Sequence, residues 1–276
     1  MHRFCADWVP DERDFFANLG IKLPEDGIAA VIVPEDDTYR RICDFFANKR
    51  KDLWEWNYYE YSKEELLAAP YCLLGSCHCS GYPKPEDSYL SRTFDTRNMC
   101  PECHTGRIQK DSFRVGKLSK YGFWGYSAWE HSVRFVSDEV YEKVFAPYGI
   151  PRRPVKKGSA TVEGVSQLEI PMTDEDLDLY SYKYEICPSC GTKRYLPGEY
   201  LRHPYFPLHK HPLPGIYMTK EVFGAGWQID HQIMASADIV KKLLDLKEIR
   251  LVDLYPCTTA IEQYWGPNPE SLPSCP

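Results

Sequence analysis

The chain has 276 residues, 43% of them hydrophobic and 26% charged, the profile of a folded globular protein with room for one large domain or two ordinary ones. A formal net charge of −7, with only short basic runs at Lys49-Arg50-Lys51 and at Arg152-Arg153 and Lys156-Lys157, argues against a protein that tracks phosphates, so nucleic acid is a poor candidate partner. Eleven cysteines follow an N-terminus with no apolar leader, and no apolar run approaches the ~20 residues of a membrane span; the expected setting is the cytoplasm, where closely spaced cysteines serve metal or redox chemistry rather than disulfides.

Residues 1–96 read as an N-terminal α/β region. Ile28 to Val33 is a buried-type strand stopped by Pro34, and Glu35-Asp36-Asp37 open a helix carrying Tyr39, Ile42, Phe45 and Phe46 at helical spacing. A second helix starts at Ser62, where Ser62-Lys63-Glu64-Glu65 is a capping box before Leu66-Leu67. Residues 97–257 form an α+β domain holding two CxxC motifs and two strand-helix-strand units. In the first unit Val133 to Val136 is a strand, Ser137 caps a helix with Val140, Val144 and Phe145 inward, and Gly149 ends it. In the second, a strand through Ile233-Met234 ends at Ser236, Ile239, Val240, Leu243 and Leu244 form a helix face, and Ile249 to Leu254 is the last strand. The two units align without gaps, Ser137 on Ser236, Val140 on Ile239, Val144 on Leu243 and Ile150 on Ile249. Each follows a CxxC, which suggests a duplication, although any two such units share these periods. Residues 258–276 are a Pro-rich tail expected at the surface.

Cys100-Pro101-Glu102-Cys103 and Cys187-Pro188-Ser189-Cys190-Gly191 carry the strongest chemical signal. Zinc takes four soft ligands in a tetrahedron, and two CxxC turns supply two thiolates each. Gly191 suits a knuckle, which needs a residue tolerant of positive φ after its second cysteine; His104 fills that place in the first. A thioredoxin-like dithiol would need an apolar helix directly after the motif, whereas both motifs run into turn-then-strand sequence. One structural Zn2+ per chain on Cys100, Cys103, Cys187 and Cys190 is therefore expected, stapling an insert of roughly 80 residues. Cys72, Cys77, His78 and Cys79 are a second, irregularly spaced set that reads mainly as buried thiols, and His203, His209 and His211 lie in a Pro-rich loop. No HExxH, GxSxG, phosphate-binding loop or dinucleotide fingerprint is present, nor a His-x-Glu before either CxxC, so no catalytic residue is assigned.

The order CPEC, aromatic stretch, strand-Ser-helix, CPSCG, strand, Ser-capped helix and a final "LVDLYPC" resembles the double-CxxCG proteins, a bacterial family described as immunity proteins for polymorphic toxins. The likeness covers about residues 97–257. It departs at Cys103-His104-Thr105-Gly106, where the family has Cys-Gly, and residues 1–96 have no counterpart. The resemblance implies a zinc-stabilised binding protein that neutralises a cognate toxin by direct contact. Negative charge would then speed encounter with a basic toxin, and exposed Tyr and Trp residues of Trp54 to Tyr61 and Tyr121 to Trp129 would be the expected anchors. A zinc-ribbon-type nucleic-acid or adaptor protein, or an enzyme without a recognised motif, are the alternatives.

Overall fold

The computed structural model describes residues 2–47, 49, 54–57, 59–75, 78–126, 129–196, 203–210, 212–225 and 228–259, excepting the side chains of 28, 54–57, 225 and 228. The fold is α+β, as expected, with strand exceeding helix at 35% to 23%, so helices cover sheets rather than form a bundle. The chain divides into two compact units, one formed chiefly by Met1–Glu60 and the other by Tyr61–Glu199 and Tyr205–Ile261. Among the described residues no helix is long and apolar enough to cross a membrane.

The first unit runs β1 (His2–Asp7), α1 (Pro10–Asn18), β2 (Ile28–Val33), α2 (Asp37–Phe46) and β3 (Trp54–Asn57). Its sheet has the order β2-β1-β3, antiparallel throughout. Period-2 alternation buries Phe4 and Ala6 of β1 and Val31 and Val33 of β2 beneath the helices, where Phe16, Ile42 and Phe46 complete the core. Pro10 fits the first helical turn of α1, where no N–H partner is lost. The Asp36 carboxylate caps α2 by accepting the N–H groups of Thr38 and Tyr39 at 2.8 and 3.3 Å. Trp8 is buried, and its indole N–H donates to the Ala29 carbonyl at 2.8 Å.

The second unit opens with α3 (Lys63–Ala68), β4 (Tyr71–Leu74), α4 (Tyr89–Thr93), β5 (Phe94–Asp95) and β6 (Ile108–Gln109). It continues with β7 (Phe123–Tyr126), β8 (Glu130–Ser137), α5 (Asp138–Val140), β9 (Arg152–Lys157) and β10 (Ala160–Leu168). Then follow β11 (Tyr184–Ile186), β12 (Lys193–Tyr195), β13 (Phe206–Pro207), β14 (Ile216–Ala225), β15 (Gln228–Ser236), α6 (Ala237–Asp245) and β16 (Leu254–Thr258). The capping box at Ser62 is formed: its hydroxyl accepts the Glu65 N–H while its own N–H reaches the Glu65 carboxylate. Residues 61–96, grouped by sequence with the N-terminal region, contribute β4 to this unit, and the compact units divide at Glu60.

Two sheets carry the two strand-helix-strand units. One has the order β7-β8-β10-β9, the other β11-β12-β14-β15-β4-β16-β13. Within the second, β14-β15-β4-β16 repeats the arrangement of the first, with β4 in the place of β10. The detail repeats too. Ser137 pairs with Val165 of β10 and Ser236 with Tyr71 of β4, and the two serine N–H groups donate to Gly122 and Gly215 carbonyls, each at 2.8 Å. The serines then diverge. Ser137 Oγ caps its helix by accepting the Val140 N–H, whereas Ser236 Oγ accepts from Gly215 N–H and leaves α6 without a side-chain cap. After α5 the first helix continues as a π-turn, Tyr141–Phe145, and closes at Gly149 with φ +66°.

Both helical segments share one core, Val140, Val144 and Phe145 meeting Ile239, Val240 and Leu243. The other face of the four-stranded sheet has its own core, including Phe113, Trp124, Tyr126 and Phe135. One boundary differs from expectation. Ile249 to Leu254 is not the last strand; Leu251–Asp253 form a 3-10 turn, closed by the Asp253 carboxylate on the Arg250 N–H, and the strand starts at Leu254. The tail expected at the surface lies outside the described residues beyond Thr259.

Candidate metal centre

Each CxxC occupies the tip of a two-stranded hairpin. β5 pairs with β6 on either side of the first, β11 with β12 on either side of the second. The turns are equivalent bond for bond. Cys100 N–H donates to Thr105 O at 2.8 Å and His104 N–H to Cys100 O at 2.9 Å; Cys187 N–H donates to Thr192 O at 2.9 Å and Gly191 N–H to Cys187 O at 2.8 Å. The residue after the second cysteine is left-handed in both, with φ +56° at His104 and +75° at Gly191. Gly106 adds a constraint to the first tip: at φ +85° a Cβ would sit 2.4 Å from the Asn98 carbonyl oxygen.

The structure brings all four predicted cysteines together, with their sulfurs within 4.8 Å of one another. Cys100 and Cys187 sulfurs are 3.7 Å apart, Cys103 and Cys190 sulfurs 3.4 Å. A metal with bonds of about 2.3 Å to a tetrahedron of sulfurs requires edges of about 3.8 Å, whereas a disulfide requires about 2.05 Å. The set fits a thiolate-bound ion. Val222 and Ile229 pack against Cys100, Cys103 and Cys187, which are buried, while Cys190 is exposed. The Thr192 hydroxyl, 3.1 Å from Cys190 Sγ, and the Thr192 N–H hold that thiol down to about 5. Burial pushes Cys103 up to about 11. A cation between them supplies the charge that lets both ionise. Neither motif opens a helix, so the helix-N-terminus activation of a redox dithiol is missing here.

Among the described residues no second group of metal-ligating side chains comes together. Cys72 is buried in the core beside Leu66 and Leu74 while Cys79 is exposed; Cys77 lies outside the described residues, as does His211. Of the aromatic segment Tyr121 to Trp129, Tyr121 and Trp129 are half-buried. Phe123, Trp124 and Tyr126 are all buried, because β7 is covered on both faces and its alternate side chains fill two different cores. The side chains of Trp54 and Trp56 lie outside those described.

Sequence reasoning passed over a second group next to the first knuckle. Glu130, 1% exposed at the start of β8, accepts from Arg107 at 3.0 Å through Oε2, while its buried Oε1 has no hydrogen-bond partner. Burial pushes its carboxyl up to about 8, outweighing the pull of Arg107 and of the Tyr89 hydroxyl. A cleft of about 570 Å³ runs alongside. The residue gives no motif; in sequence it is one polar residue among several in its strand.

Comparison with protein-family models, with curated proteins and with solved structures finds no match.

Proposed function

We propose that Cys100, Cys103, Cys187 and Cys190 hold one structural Zn2+ per chain, and that the chain is a binding protein which neutralises a bacterial toxin by direct contact in the cytoplasm. The observation that supports the metal is the convergence of four sulfurs, two from each of two equivalent hairpin tips, all within 4.8 Å of one another and with the cross-tip pairs at 3.7 and 3.4 Å, near a tetrahedral edge. Borderline-soft Zn2+ suits an all-thiolate set, three of whose cysteines are buried. The toxin-neutralising role rests on the likeness of residues 97–257 to the double-CxxCG family and on the net charge of −7, which complements a basic partner.

Two measurements test the two halves. Elemental analysis of protein purified without chelator is expected to find about one zinc per chain; protein that is folded and free of metal removes the staple. Expression of the product of the gene immediately upstream is expected to arrest bacterial growth, and co-expression of this chain to restore it. A harmless upstream product, or arrest that this chain does not relieve, removes the neutralising role and leaves the metal site standing.

A further inference from the structure

The cleft beside Glu130 is walled by β8, β10, β14 and β15, and a second hollow of about 300 Å³ adjoins it, sharing His104, Arg107, Ile229 and Asp230. Together they have the size of a small-molecule site, with apolar walls from Val133, Ile170, Met218 and Val222. Their charges are unbalanced. Arg107 is paired with Glu130, Arg153 with Glu169, and Lys84 with Glu86 at the rim, which leaves Asp87 and Asp230 in excess. Among the described residues Asp230 accepts the backbone N–H groups of Ser132 and His231, at 2.8 Å each. In the smaller hollow Tyr89 and Trp129 stand with ring centroids 5.3 Å apart and planes inclined at 30°, offering π faces beside these carboxylates.

Glu130 supplies the independent sign of a ligand. A buried acceptor left without a donor is costly, and such groups are ordinarily satisfied. Oε1 of Glu130 is such an acceptor in the wall of the cleft, with no hydrogen-bond partner among the described residues, while the Tyr89 hydroxyl stands near enough to the carboxylate to pull it down.

We propose that the two adjoining hollows bind a small organic cation, an amidinium, guanidinium or primary ammonium on a compact apolar body, whose N–H groups satisfy Glu130 Oε1 and whose charge is met by Asp230 and the Tyr89–Trp129 faces. Donors on a charged nitrogen make the stronger hydrogen bonds to carboxylate, and aromatic faces attract the same charge. Burial raises the Glu130 carboxyl to about 8, and a cation at Oε1 draws it back to the ionised form. This site uses neither the cysteines nor a protein partner, so it goes beyond the binding-protein reading.

Calorimetric titration of the zinc-loaded full chain with benzamidine, benzamide and benzoate separates charge from shape. Benzamidine is expected to bind at ~1 mM or tighter and at least tenfold better than either matched control. Glu130→Gln is expected to weaken it at least tenfold, as loss of a charge-assisted bond does, and Trp129→Leu at least threefold. Benzamidine binding no tighter than benzoate or benzamide, or bound equally by folded Glu130→Gln, overturns the proposal. Should Glu130→Gln fail to fold, Trp129→Leu decides: weakened binding supports the site and unchanged binding overturns it.

Discussion

Cys103 Sγ lies 3.4 Å from Cys190 Sγ across 87 residues, and Cys100 Sγ lies 3.7 Å from Cys187 Sγ across the same 87. The constant separation means that the two tips meet as equivalents, each cysteine opposite its counterpart. An ion held there closes a long loop at its narrowest point, and losing it leaves four thiols crowded between two short hairpins. Chelation is therefore expected to cost several kcal/mol, a fall of about 10 °C in thermal midpoint for a chain of this size. Cys103→Ser, fully buried, should match the chelated protein and bind no zinc. Scanning calorimetry with metal analysis checks both.

Equivalence of the tips puts His104 where Gly191 stands, yet His104 carries a Cβ at φ +56°. Left-handed backbone disfavours any side chain by roughly 1 kcal/mol or more. Comparing His104→Ala with His104→Gly cancels whatever the imidazole touches and isolates the backbone. The glycine variant is expected to be the more stable by about 1 kcal/mol in urea denaturation. Equal stabilities would mean that the turn relaxes to another conformation.

Local chemistry made the knuckles, the Ser62 capping box and the Asp36 cap readable from sequence, since each is complete within about four residues. Long-range pairing was not. Nothing in Tyr71–Leu74 says that it fits between β15 and β16 as β10 fits between β8 and β9, because backbone ladders carry no sequence code beyond apolarity. Which aromatics of Tyr121 to Trp129 are exposed was not legible for a related reason: an aromatic run looks the same whether a strand is covered on one face or two, and β7, with Trp124 and Tyr126, is covered on both. Glu130 escaped because its unusual state comes from burial, a property of neighbours distant in the chain.

Gly122 sits where β7 approaches the capped helix, and its conformation matters less than its lack of a side chain. A Cβ there would lie 2.5 Å from Val140 Cγ2 and 2.7 Å from Ser137 Oγ. Val140 is a buried, β-branched core residue with little room to move, and Ser137 Oγ is already committed to the helix cap. The Gly122 N–H also donates to Glu248, which accepts the Phe123 N–H as well and ties the loop after α6 to the start of β7. Gly122→Ala is expected to destabilise by about 1–3 kcal/mol through overpacking. Glu248→Gln should cost about 1.5–3 kcal/mol by weakening two charge-assisted bonds. Urea midpoints measure both, and a neutral Gly122→Ala would show that this approach is looser than described.

The raised Glu130 carboxyl makes a prediction whose sign is fixed. Between the ordinary value of 4.5 and about 8 the folded chain keeps a proton on Glu130 that the unfolded chain has released. Proton uptake on folding means that stability from this group is full below pH 4.5, declines as pH rises through the window, and is gone above about 8. Glu130→Gln stays neutral throughout and has no such slope. Every other titrating group is common to both proteins, so the difference in unfolding free energy, variant minus native, is expected to climb from pH 4.5 to about 8 and then flatten. Loss of the Arg107 ion pair shifts that difference curve vertically without changing its slope, which keeps the test independent of what the pair contributes. Urea unfolding of the two proteins at a series of pH values supplies the curve. A flat difference would mean that Glu130 is ionised across this range in the folded chain, its carboxyl at or below the ordinary value.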